Sequence, residues 1–260
     1  WEWDGTRWTS RGSGPSARRA ADMAYDSLRG VSVLQGGYGD RGFQTDTWEW
    51  NGTAWIERLR ESLAPSAGYA MTFDPVAGRV LVNGGLIDER RVNSKTWSWD
   101  GQTWTDLVLQ PSPRWGHAMA AGAGPSDVLF GGYDGDSLLD DTWVFNGHAW
   151  HRLAVAGPSP RWQHAMAYDE ARGVDVLFGG GDDETWEWDG AAWLRQFPPH
   201  APTPRSGHSL GYDALRGVTV LFGGFDDRLR GDTWEWDGAD WIEQRLMGPS
   251  ARAGQAMTYD

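Results

Sequence analysis

The sequence predicts an all-β chain of repeated antiparallel sheets, and three observations predict it. A phrase of the form W-x-[WF]-[DN]-G-x-x-W occurs six times, and its copies start 43 to 49 residues apart. Short apolar runs end in a double glycine five times. No stretch of the repeat shows the longer periodicity of an amphipathic helix. A unit of this length repeated in series is typical of a solenoid, an array or a propeller. The phrase begins at Trp1, Trp48, Trp97, Trp143, Trp186 and Trp234.

One repeat, residues 204–246, contains four short apolar or aromatic stretches bounded by Gly, Pro or Asp, which predict four strands. We call them strands a, b, c and d. The double glycine after strand b allows a sharp change of direction and a close approach of backbones. Its five copies are Gly36-Gly37, Gly84-Gly85, Gly131-Gly132, Gly179-Gly180 and Gly223-Gly224.

Strands c and d are joined by Asp-Gly or Asn-Gly in every repeat, as at Asp4-Gly5 and Asn51-Gly52. These residues tolerate the positive φ angles of a two-residue type I′ turn. Such a turn would place Trp1 opposite Trp8, and each later Trp opposite the Trp seven residues on. We therefore expect three indoles on one side of the outer hairpin in most repeats.

Four antiparallel strands per repeat, buried on both faces and arranged in series, describe the blades of a β-propeller. The apolar strand with its double glycine, followed by spaced aromatic residues, resembles the kelch repeat over essentially the whole chain. Trp236-Asp237 and Gly207-His208 also resemble the WD40 repeat. The double glycine that ends all five b strands favours kelch, and either family implies a propeller.

The repeats contain six a strands, five b strands, six c strands and six d strands. We therefore expect one domain over residues 1–260 that forms a six-bladed kelch-type propeller, although a seven-bladed parent stays open. Kelch-like propellers commonly close their ring with a blade shared by the two chain ends. Here that blade would lack strand b, and we expect the strand to come from further residues of the natural polypeptide or from another chain. The expected blades cover about 15–60, 64–109, 112–154, 159–197 and 203–246, with the shared blade formed by 1–10 and 249–260.

Charge and composition limit the partners. The chain has 23 basic and 36 acidic residues, a net charge of −13, so it lacks the electrostatic footprint of a nucleic-acid binder, and anionic membranes would repel it. Cationic or neutral partners are favoured. The absence of cysteine excludes disulfides and thiolate metal sites, and no apolar run approaches the ~20 residues that span a bilayer. An exported or cell-surface bacterial protein is slightly favoured over a cytoplasmic one.

An arginine stands at the start of strand a in five repeats, and an acidic residue precedes Thr-Trp in strand c in four. We call these two sets of aligned positions the arginine column and the acidic column. Their exceptions, Ser66 and Lys95, fall in the same repeat, as expected if the two positions form a structural ion pair within a blade. The alternative is a ring of arginines that binds a carboxylate or phosphate. The complete pairs are Arg18 with Asp46, Arg114 with Asp141, Arg161 with Glu184, and Arg205 with Asp232.

Three histidines, His117, His164 and His208, align in strand a. Three imidazoles could bind zinc, but equivalent positions on different blades lie far apart around a ring. We expect buried, hydrogen-bonded histidines and no metal site. The loop aspartates Asp134, Asp136, Asp182, Asp183, Asp226 and Asp227 could bind Ca²⁺, although no loop has EF-hand spacing.

Candidate ligand-binding residues lie in the variable b-to-c loops and at two tryptophans outside the hairpin phrase. Trp115 and Trp162 would either offer a stacking platform or pack between blades. In kelch-like proteins the face with these loops and the d-to-a loops usually binds the partner. The candidates are Tyr38, Arg41, Arg90, Arg91, Trp115, Tyr133, Asp134, Trp162, Asp182, Phe225 and Arg228.

The expected function is a noncatalytic module that binds a protein or peptide through these loops, with no cofactor. Kelch-like propellers include copper-radical oxidases, but that chemistry needs a cysteine, which is absent. The first alternative is a lectin-like module that stacks Trp115, Trp162, Tyr38 and Tyr133 on sugars. The second is a glycosidase-like hydrolase at the axial pocket, for which no catalytic motif or isolated carboxylate pair is present.

Overall fold

The computed structural model describes residues 1–12, 14–60, 67–107, 111–122, 126–245 and 247–259. Every regular element in these ranges is extended, which confirms the all-β prediction, and none of them is a helix long and apolar enough to cross a membrane. The strands are β1 (Glu2–Trp3), β2 (Trp8–Thr9), β3 (Arg18–Arg19), β4 (Asp22–Asp26), β5 (Val31–Gln35), β6 (Tyr38–Gly39), β7 (Gly42–Phe43), β8 (Thr47–Trp50), β9 (Trp55–Leu59), β10 (Ala70–Asp74), β11 (Arg79–Asn83), β12 (Thr96–Trp99), β13 (Trp104–Asp106), β14 (Ala118–Ala120), β15 (Asp127–Phe130), β16 (Thr142–Phe145), β17 (Trp150–Leu153), β18 (Ala165–Asp169), β19 (Val174–Phe178), β20 (Thr185–Trp188), β21 (Trp193–Gln196), β22 (Ser209–Asp213), β23 (Val218–Phe222), β24 (Thr233–Trp236) and β25 (Trp241–Gln244).

Five sheets have four antiparallel strands each, in the predicted order a, b, c, d along the chain. They are β4-β5-β8-β9, β10-β11-β12-β13, β14-β15-β16-β17, β18-β19-β20-β21 and β22-β23-β24-β25. The a strands of successive sheets lie beside one another. This series of repeated sheets is propeller-like. Two smaller sheets accompany it, the hairpin β1-β2 and the three-stranded β3-β6-β7.

Strand b forms the centre of each four-stranded sheet because both of its faces are apolar. The sequence Val-x-Val-Leu-Phe is buried along its length in β23, apart from its first residue, and all of β5 is buried. Four apolar clusters lie between neighbouring sheets, and each combines b-strand aliphatic side chains with hairpin tryptophans. Burial on both faces explains why these strands read as continuous apolar runs rather than alternating ones.

The predicted register of the c–d hairpin is wrong. Trp50 lies opposite Trp55, and Trp48 lies opposite Glu57, so four residues rather than two form the turn. Asn51 Oδ1 accepts the backbone N–H groups of Thr53 and Ala54 at 3.0 and 2.9 Å. The side chain therefore caps a four-residue turn in which Gly52 has φ of +84°. Trp48 and Trp50 still share a face with Trp55, because residues two apart on a strand point the same way.

Six backbone hydrogen bonds form one circuit at the start of the a strands, with N···O distances from 2.6 to 2.8 Å. Each N–H donates to the carbonyl of the previous member, and Ala20 donates to Gly254, which joins the first repeat to the last described segment. All six residues have φ between +53° and +69°. The circuit runs through Ala20, Gly68, Gly116, Gln163, Gly207 and Gly254.

Residues 255–259 carry the sequence of an a strand but form no strand. The Ala-Met-Ala-Tyr of β18 pairs with β19, whereas the similar sequence that begins at Ala256 lies beside β22, where Ser209 Oγ donates to Gln255 O at 2.6 Å. Likewise β1 pairs with β2 alone. The segment expected as strand a of the shared blade is therefore not part of a regular strand.

Candidate functional site

The b-to-c loops fold back on the sheets and present an apolar residue directly after the double glycine. Leu86 forms backbone bridges with Ala67 on one side and Val92 on the other. Phe225 does the same with Ser206 and Leu229, and Tyr38 takes this place in the small sheet β3-β6-β7. Backbone pairing on both sides fixes where these side chains stand, so the loop face has a defined shape.

These loops surround a depression that we call the crater, with a volume of about 500 Å³. Tyr38, Phe43, Leu86 and Phe225 contribute apolar wall, and Phe225 is 48% exposed. Below the wall, the six residues of the hydrogen-bond circuit line a smaller cavity of about 150 Å³. The polar groups of the crater include Arg19, Glu89, Gln163 and Ser206. The crater is thus a concave, largely apolar surface with a few charged side chains, which suits binding of a peptide or side chain.

An aromatic cluster stands at one side of the crater. The Trp115 and Trp162 rings meet edge to face with centroids 4.6 Å apart, and Tyr133 lies 6.1 Å from Trp115 and 5.9 Å from Trp162. All three side chains are half-buried. Because the rings pack on one another, they form a stiff wall rather than an open parallel platform, and Trp115 is the member that lines the crater.

The charged loop residues lie at the rim or in turns. Arg41, Arg90, Arg91 and Arg228 are exposed, and Arg91 pairs with Asp88 at 2.6 Å. Asp134 accepts the N–H groups of Asp136 and Ser137, and these hydrogen bonds lower the pKa of its carboxyl group. The rim therefore offers exposed guanidinium groups beside an apolar wall.

Four arginines of the column, Arg18, Arg114, Arg161 and Arg205, lie under the loop face and are engaged by acidic partners. Arg114 is buried and donates from Nη1 and Nη2 to Asp141 at 2.7 and 2.9 Å. Its Nη1 also donates to Gly131 O, and the remaining donors reach Ser112 O and Oγ. Equivalent pairs at 2.6 to 3.0 Å join Arg18 to Asp46, Arg161 to Glu184, and Arg205 to Asp232.

This geometry leaves the paired arginines no donor for a ligand. Asp182, grouped by sequence with the ligand-binding loop residues, instead contacts Arg161 at 2.9 Å. In the exceptional repeat, Lys95 pairs with Asp106 and lies over the Trp97 ring at 5.1 Å, while Ser66 lies outside the described residues. The Ser or Thr two residues before each paired arginine accepts a hydrogen bond from that arginine through its hydroxyl oxygen. A repeated [ST]-x-R pattern in the sequence would have indicated this contact.

The second face carries ion pairs that we did not anticipate from the sequence. Arg29 joins Asp26 and Glu49 at 2.6 and 2.5 Å, and Glu49 accepts the indole N–H of Trp99 from the next sheet. The same arrangement recurs at Arg172 with Asp169 and Glu187, and at Arg216 with Asp213 and Glu235. These contacts tie neighbouring sheets together through the tryptophans.

The three histidines are buried and line a cavity of about 150 Å³ among the a strands. His208 Nε2 lies 3.1 Å from Phe178 O. Gln255, which aligns with the histidines in the last repeat, donates to Phe222 O at 2.7 Å. Burial lowers the pKa of His117 and of His208 to about 3. These imidazoles are therefore neutral at physiological pH.

Asp22 lines the same cavity at a position that is Ala or Ser in the other repeats. Its Oδ1 and Oδ2 accept the N–H groups of Met23 and Met71 at 2.8 Å. Burial is the larger effect and raises the pKa of the carboxyl group to about 7. Within the described ranges, no group of three or more His, Asp or Glu side chains is arranged to hold a metal ion.

Comparisons with known proteins add no family. No protein-family model matches the chain, and no curated protein matches it significantly. The features of the chain that bear on its function are the crater, the engaged arginines and the internal repeat.

Sequence reasoning found part of the crater. Tyr38, Trp115 and Phe225 line it, and Tyr133 and Trp162 pack beside Trp115. Arg19, Phe43, Leu86, Glu89 and Gln163 were missed. The position after the double glycine is apolar in four of five repeats, and that column would have identified Leu86.

Proposed function

We propose that the chain is a noncatalytic interaction module, built as a six-bladed kelch-type propeller, that binds a protein or peptide in the crater. Six blades are supported by the six members of the hydrogen-bond circuit, whose last member returns to the first. The hairpin β1-β2 supplies the outer strands of the sixth blade. Its Trp8 packs on Phe222 of the fifth sheet at 5.1 Å, as Trp241 packs on Phe178 one sheet earlier.

The crater is the single observation that carries the binding function. It is the largest of the cavities described above, and its apolar side chains are held by backbone pairing rather than buried by packing. Exposed Phe225 and half-buried Tyr38 and Trp115 have the character of binding anchors, since aromatic residues dominate interface energetics. The net charge of −13 favours a neutral or basic partner.

The engaged arginines argue for binding over hydrolysis. A guanidinium cluster at the axis would have to release a bidentate carboxylate before it could hold a substrate anion. Arg114 and Arg205 each hold such a carboxylate, and Arg161 contacts both Asp182 and Glu184. All three arginines are almost fully buried, and breaking a buried pair costs about 3–5 kcal/mol. We therefore place recognition in the crater above them.

Selection from a displayed peptide library tests the proposal. Peptides selected on the wild-type chain should bind with micromolar affinity and should lose at least about tenfold on Phe225→Ala or Tyr38→Ala, because each change removes an apolar anchor. Phe197→Ala is the control, since Phe197 is a more exposed phenylalanine, at 80%, that lies outside the crater. Equal affinity of all four proteins, or a library that yields no binder, would contradict the proposal.

A carbohydrate-binding function is the second candidate, because Trp115 lines the crater beside the polar side chains of Gln163 and Ser206. Indole faces with nearby amide and hydroxyl groups suit a sugar ring. A glycan array probed with the wild-type chain and with Trp115→Ala decides it. Binding that Trp115→Ala abolishes would support the lectin function, and the absence of any bound glycan would remove it.

A further inference from the structure

We propose that the cavity around Asp22 binds a primary ammonium group carried on an alkyl chain, with the Asp22 carboxylate as its counter-ion. We call this cavity, which the three histidines also line, the inner cavity, and the smaller cavity under the crater the upper cavity. The ammonium belongs either to a lysine of a peptide in the crater, which rests on the proposed function, or to a free amine, which does not. Three observations carry the proposal: a path from the crater, a single charge in a neutral cavity, and a carboxylate that the repeat does not need.

Shared lining residues connect the crater to Asp22. Trp115 and Gln163 line both the crater and the upper cavity. Ala20 and Gly68 line the upper cavity and also the inner cavity. The three spaces therefore adjoin one another in that order, which gives a slender ligand a path from the loop face to the carboxylate.

The hydrogen-bond circuit lines the upper cavity and favours a cation there. Each of its six N–H groups is donated to the carbonyl of a neighbouring member, so the circuit keeps no backbone donor for an anion. A carbonyl oxygen has two lone pairs, and the circuit uses one of them. The other lone pairs are acceptors, which attract an ammonium group and repel a carboxylate or a phosphate.

Asp22 is the only charged side chain among the described residues that line the inner cavity. Its oxygens accept the N–H groups of Met23 and Met71 at 2.8 Å, which occupies two of about four lone-pair positions. The side chain is half-buried and keeps part of its surface toward the cavity. An ammonium group has three N–H donors for the remaining positions. The fold thus holds the carboxylate in place and leaves it able to bind a cation.

The other titratable groups around Asp22 are neutral near pH 7. Burial lowers the pKa of His117 and of His208 to about 3, and it lowers the pKa of His164 well below its usual value. The hydroxyl oxygen of Tyr69 lies 3.4 Å from the Asp22 nitrogen, and burial raises the pKa of this hydroxyl. None of these groups carries a positive charge that would repel an ammonium.

The repeat does not need a carboxylate at the position of Asp22. The other a strands pair with their b strands in the same register without one. Burial raises the pKa of Asp22 to about 7, so ionising this group in the fold has a cost. A bound cation would offset that cost. The aligned residues are Ala70, Ala118, Ala165, Ser209 and Ala256.

The size and the walls of the inner cavity suit an alkyl chain. Its volume of about 150 Å³ corresponds to about five water volumes, which is the size of an ammonium group with a few methylenes. Met71, Met119, Met166 and Leu210 contribute apolar wall. Methionine side chains are flexible and adapt to apolar groups of different shape. The alkyl chain would therefore lie against these side chains with its charge at Asp22.

The free amine is tested with n-butylammonium chloride in titration calorimetry on the 260-residue chain. We expect saturable 1:1 binding in the millimolar range. 1-Butanol has the same number of heavy atoms and should bind at least about tenfold more weakly, because it cannot form the charge-assisted hydrogen bonds. Asp22→Ala introduces the residue of most aligned positions and should abolish binding. Glu243→Ala, which removes an exposed carboxylate from β25, is the matched control and should leave binding unchanged.

The pH dependence is a readout that a purely structural Asp22 would not give, and it uses the wild-type chain. The pKa of the free Asp22 carboxyl is about 7, and an alkylammonium like that of lysine stays charged up to about pH 10. Ionisation of Asp22 therefore controls binding. The affinity should fall about tenfold from pH 8 to pH 6, and binding at pH 7 should release protons, measured from the dependence of the heat on the buffer.

A displayed peptide library distinguishes the two sources. If the ammonium belongs to a partner, peptides selected on the wild-type chain should share a lysine, its replacement by norleucine should cost at least about tenfold, and selection on Asp22→Ala should not enrich it. Butylammonium binding without a shared lysine would assign the cavity to a free amine. A library without binders would contradict peptide binding in the crater and leave the butylammonium result as the test of the cavity.

Four outcomes would overturn the proposal. The first is the absence of butylammonium binding together with the absence of an Asp22-dependent lysine in the selected peptides. The second is equal binding of 1-butanol or of the Asp22→Ala variant, and the third is an affinity that does not change between pH 8 and pH 6. The fourth is displacement of butylammonium by an equal concentration of Ca²⁺, which would assign the carboxylate to a metal ion.

Discussion

The backbone N–H of Ala20 donates to the carbonyl of Gly254 at 2.7 Å, so the first repeat is hydrogen-bonded to the last described segment. Ala20 has φ of +53°, in the left-handed region, and four of the other five residues of the circuit are glycine. The circuit thus demands a backbone conformation that a Cβ makes unfavourable at Ala20 and Gln163. This strain is the basis of the first prediction.

Ala20→Gly should raise the free energy of unfolding by up to about 1 kcal/mol, because the left-handed conformation costs an L-residue about 1–2 kcal/mol and glycine loses part of that gain to chain entropy. Urea denaturation measures the change. Ala24→Gly, in buried β4, is the control and should destabilise the chain. A loss of stability in Ala20→Gly would show that the circuit is not strained there.

Arg114→Ala should destabilise the fold by about 3–5 kcal/mol, because it leaves the Asp141 carboxylate largely buried without its bidentate partner. The same substitution at Arg91, whose pair with Asp88 is exposed and screened by solvent, should change the stability far less. Chemical denaturation of both variants makes the comparison, and similar losses would contradict the structural role assigned to the arginine column.

Stability should fall on acidification because buried histidines must become charged. Unfolded histidine binds its proton near pH 6.5, whereas burial lowers the pKa of His117 in the fold to about 3. Between these values the unfolded state binds more protons, so the stabilisation is complete above pH 6.5 and is lost as the pH falls toward 3.

His117→Gln should flatten this dependence by about 1.4 kcal/mol per pH unit between pH 6 and 4. Glutamine is chosen because Gln255 already occupies the column and donates to a strand-b carbonyl. The measurement is a series of urea denaturation curves across pH, and an unchanged slope would mean that His117 is not buried as a neutral group.

Gly131→Ala and Gly173→Ala should separate backbone strain from steric exclusion. The two glycines have similar φ, +64° and +68°, so both substitutions carry the left-handed cost. A Cβ at Gly131 would lie 2.8 Å from Arg161 O, whereas the space at Gly173 is open. We expect Gly131→Ala to lose about 1–3 kcal/mol more. Equal thermal denaturation of the two variants would refute the close approach of the sheets at the double glycine.

The sequence predicted the sheets because the apolar run, the double glycine and the tryptophan phrase recur in the same order along the chain. Val-x-Val-Leu-Phe-Gly-Gly predicts a short strand that is buried on both faces and ends at the glycines. Because Ser66 and Lys95 replace the arginine and the acidic residue in the same repeat, the sequence also indicated that these two positions pair, as Arg114 and Asp141 do. It mispredicted the hairpin register because Asp-Gly suits two turn geometries. The two-residue turn and the observed four-residue turn both use glycine at a positive φ, as at Gly52, so the dipeptide does not distinguish them.

The candidate site was only partly predictable for a related reason. Tyr38, Trp115 and Phe225 are conspicuous as aromatic residues outside the repeated phrase, but Leu86 and Gln163 have no distinctive signal as single residues. They belong to the crater because the loops of different sheets converge there. Likewise Asp22 is an ordinary strand residue in the sequence, and its elevated pKa arises only from its burial in the inner cavity.

By itself the sequence determined the strand order and the central position of strand b, since these follow from local apolar patterning repeated along the chain. The tertiary structure alone decided which groups meet: Ala20 with Gly254, Trp99 with Glu49, and the aromatic side chains of the crater. Those contacts join residues far apart in the chain, and their geometry depends on how whole sheets pack, which no local pattern encodes.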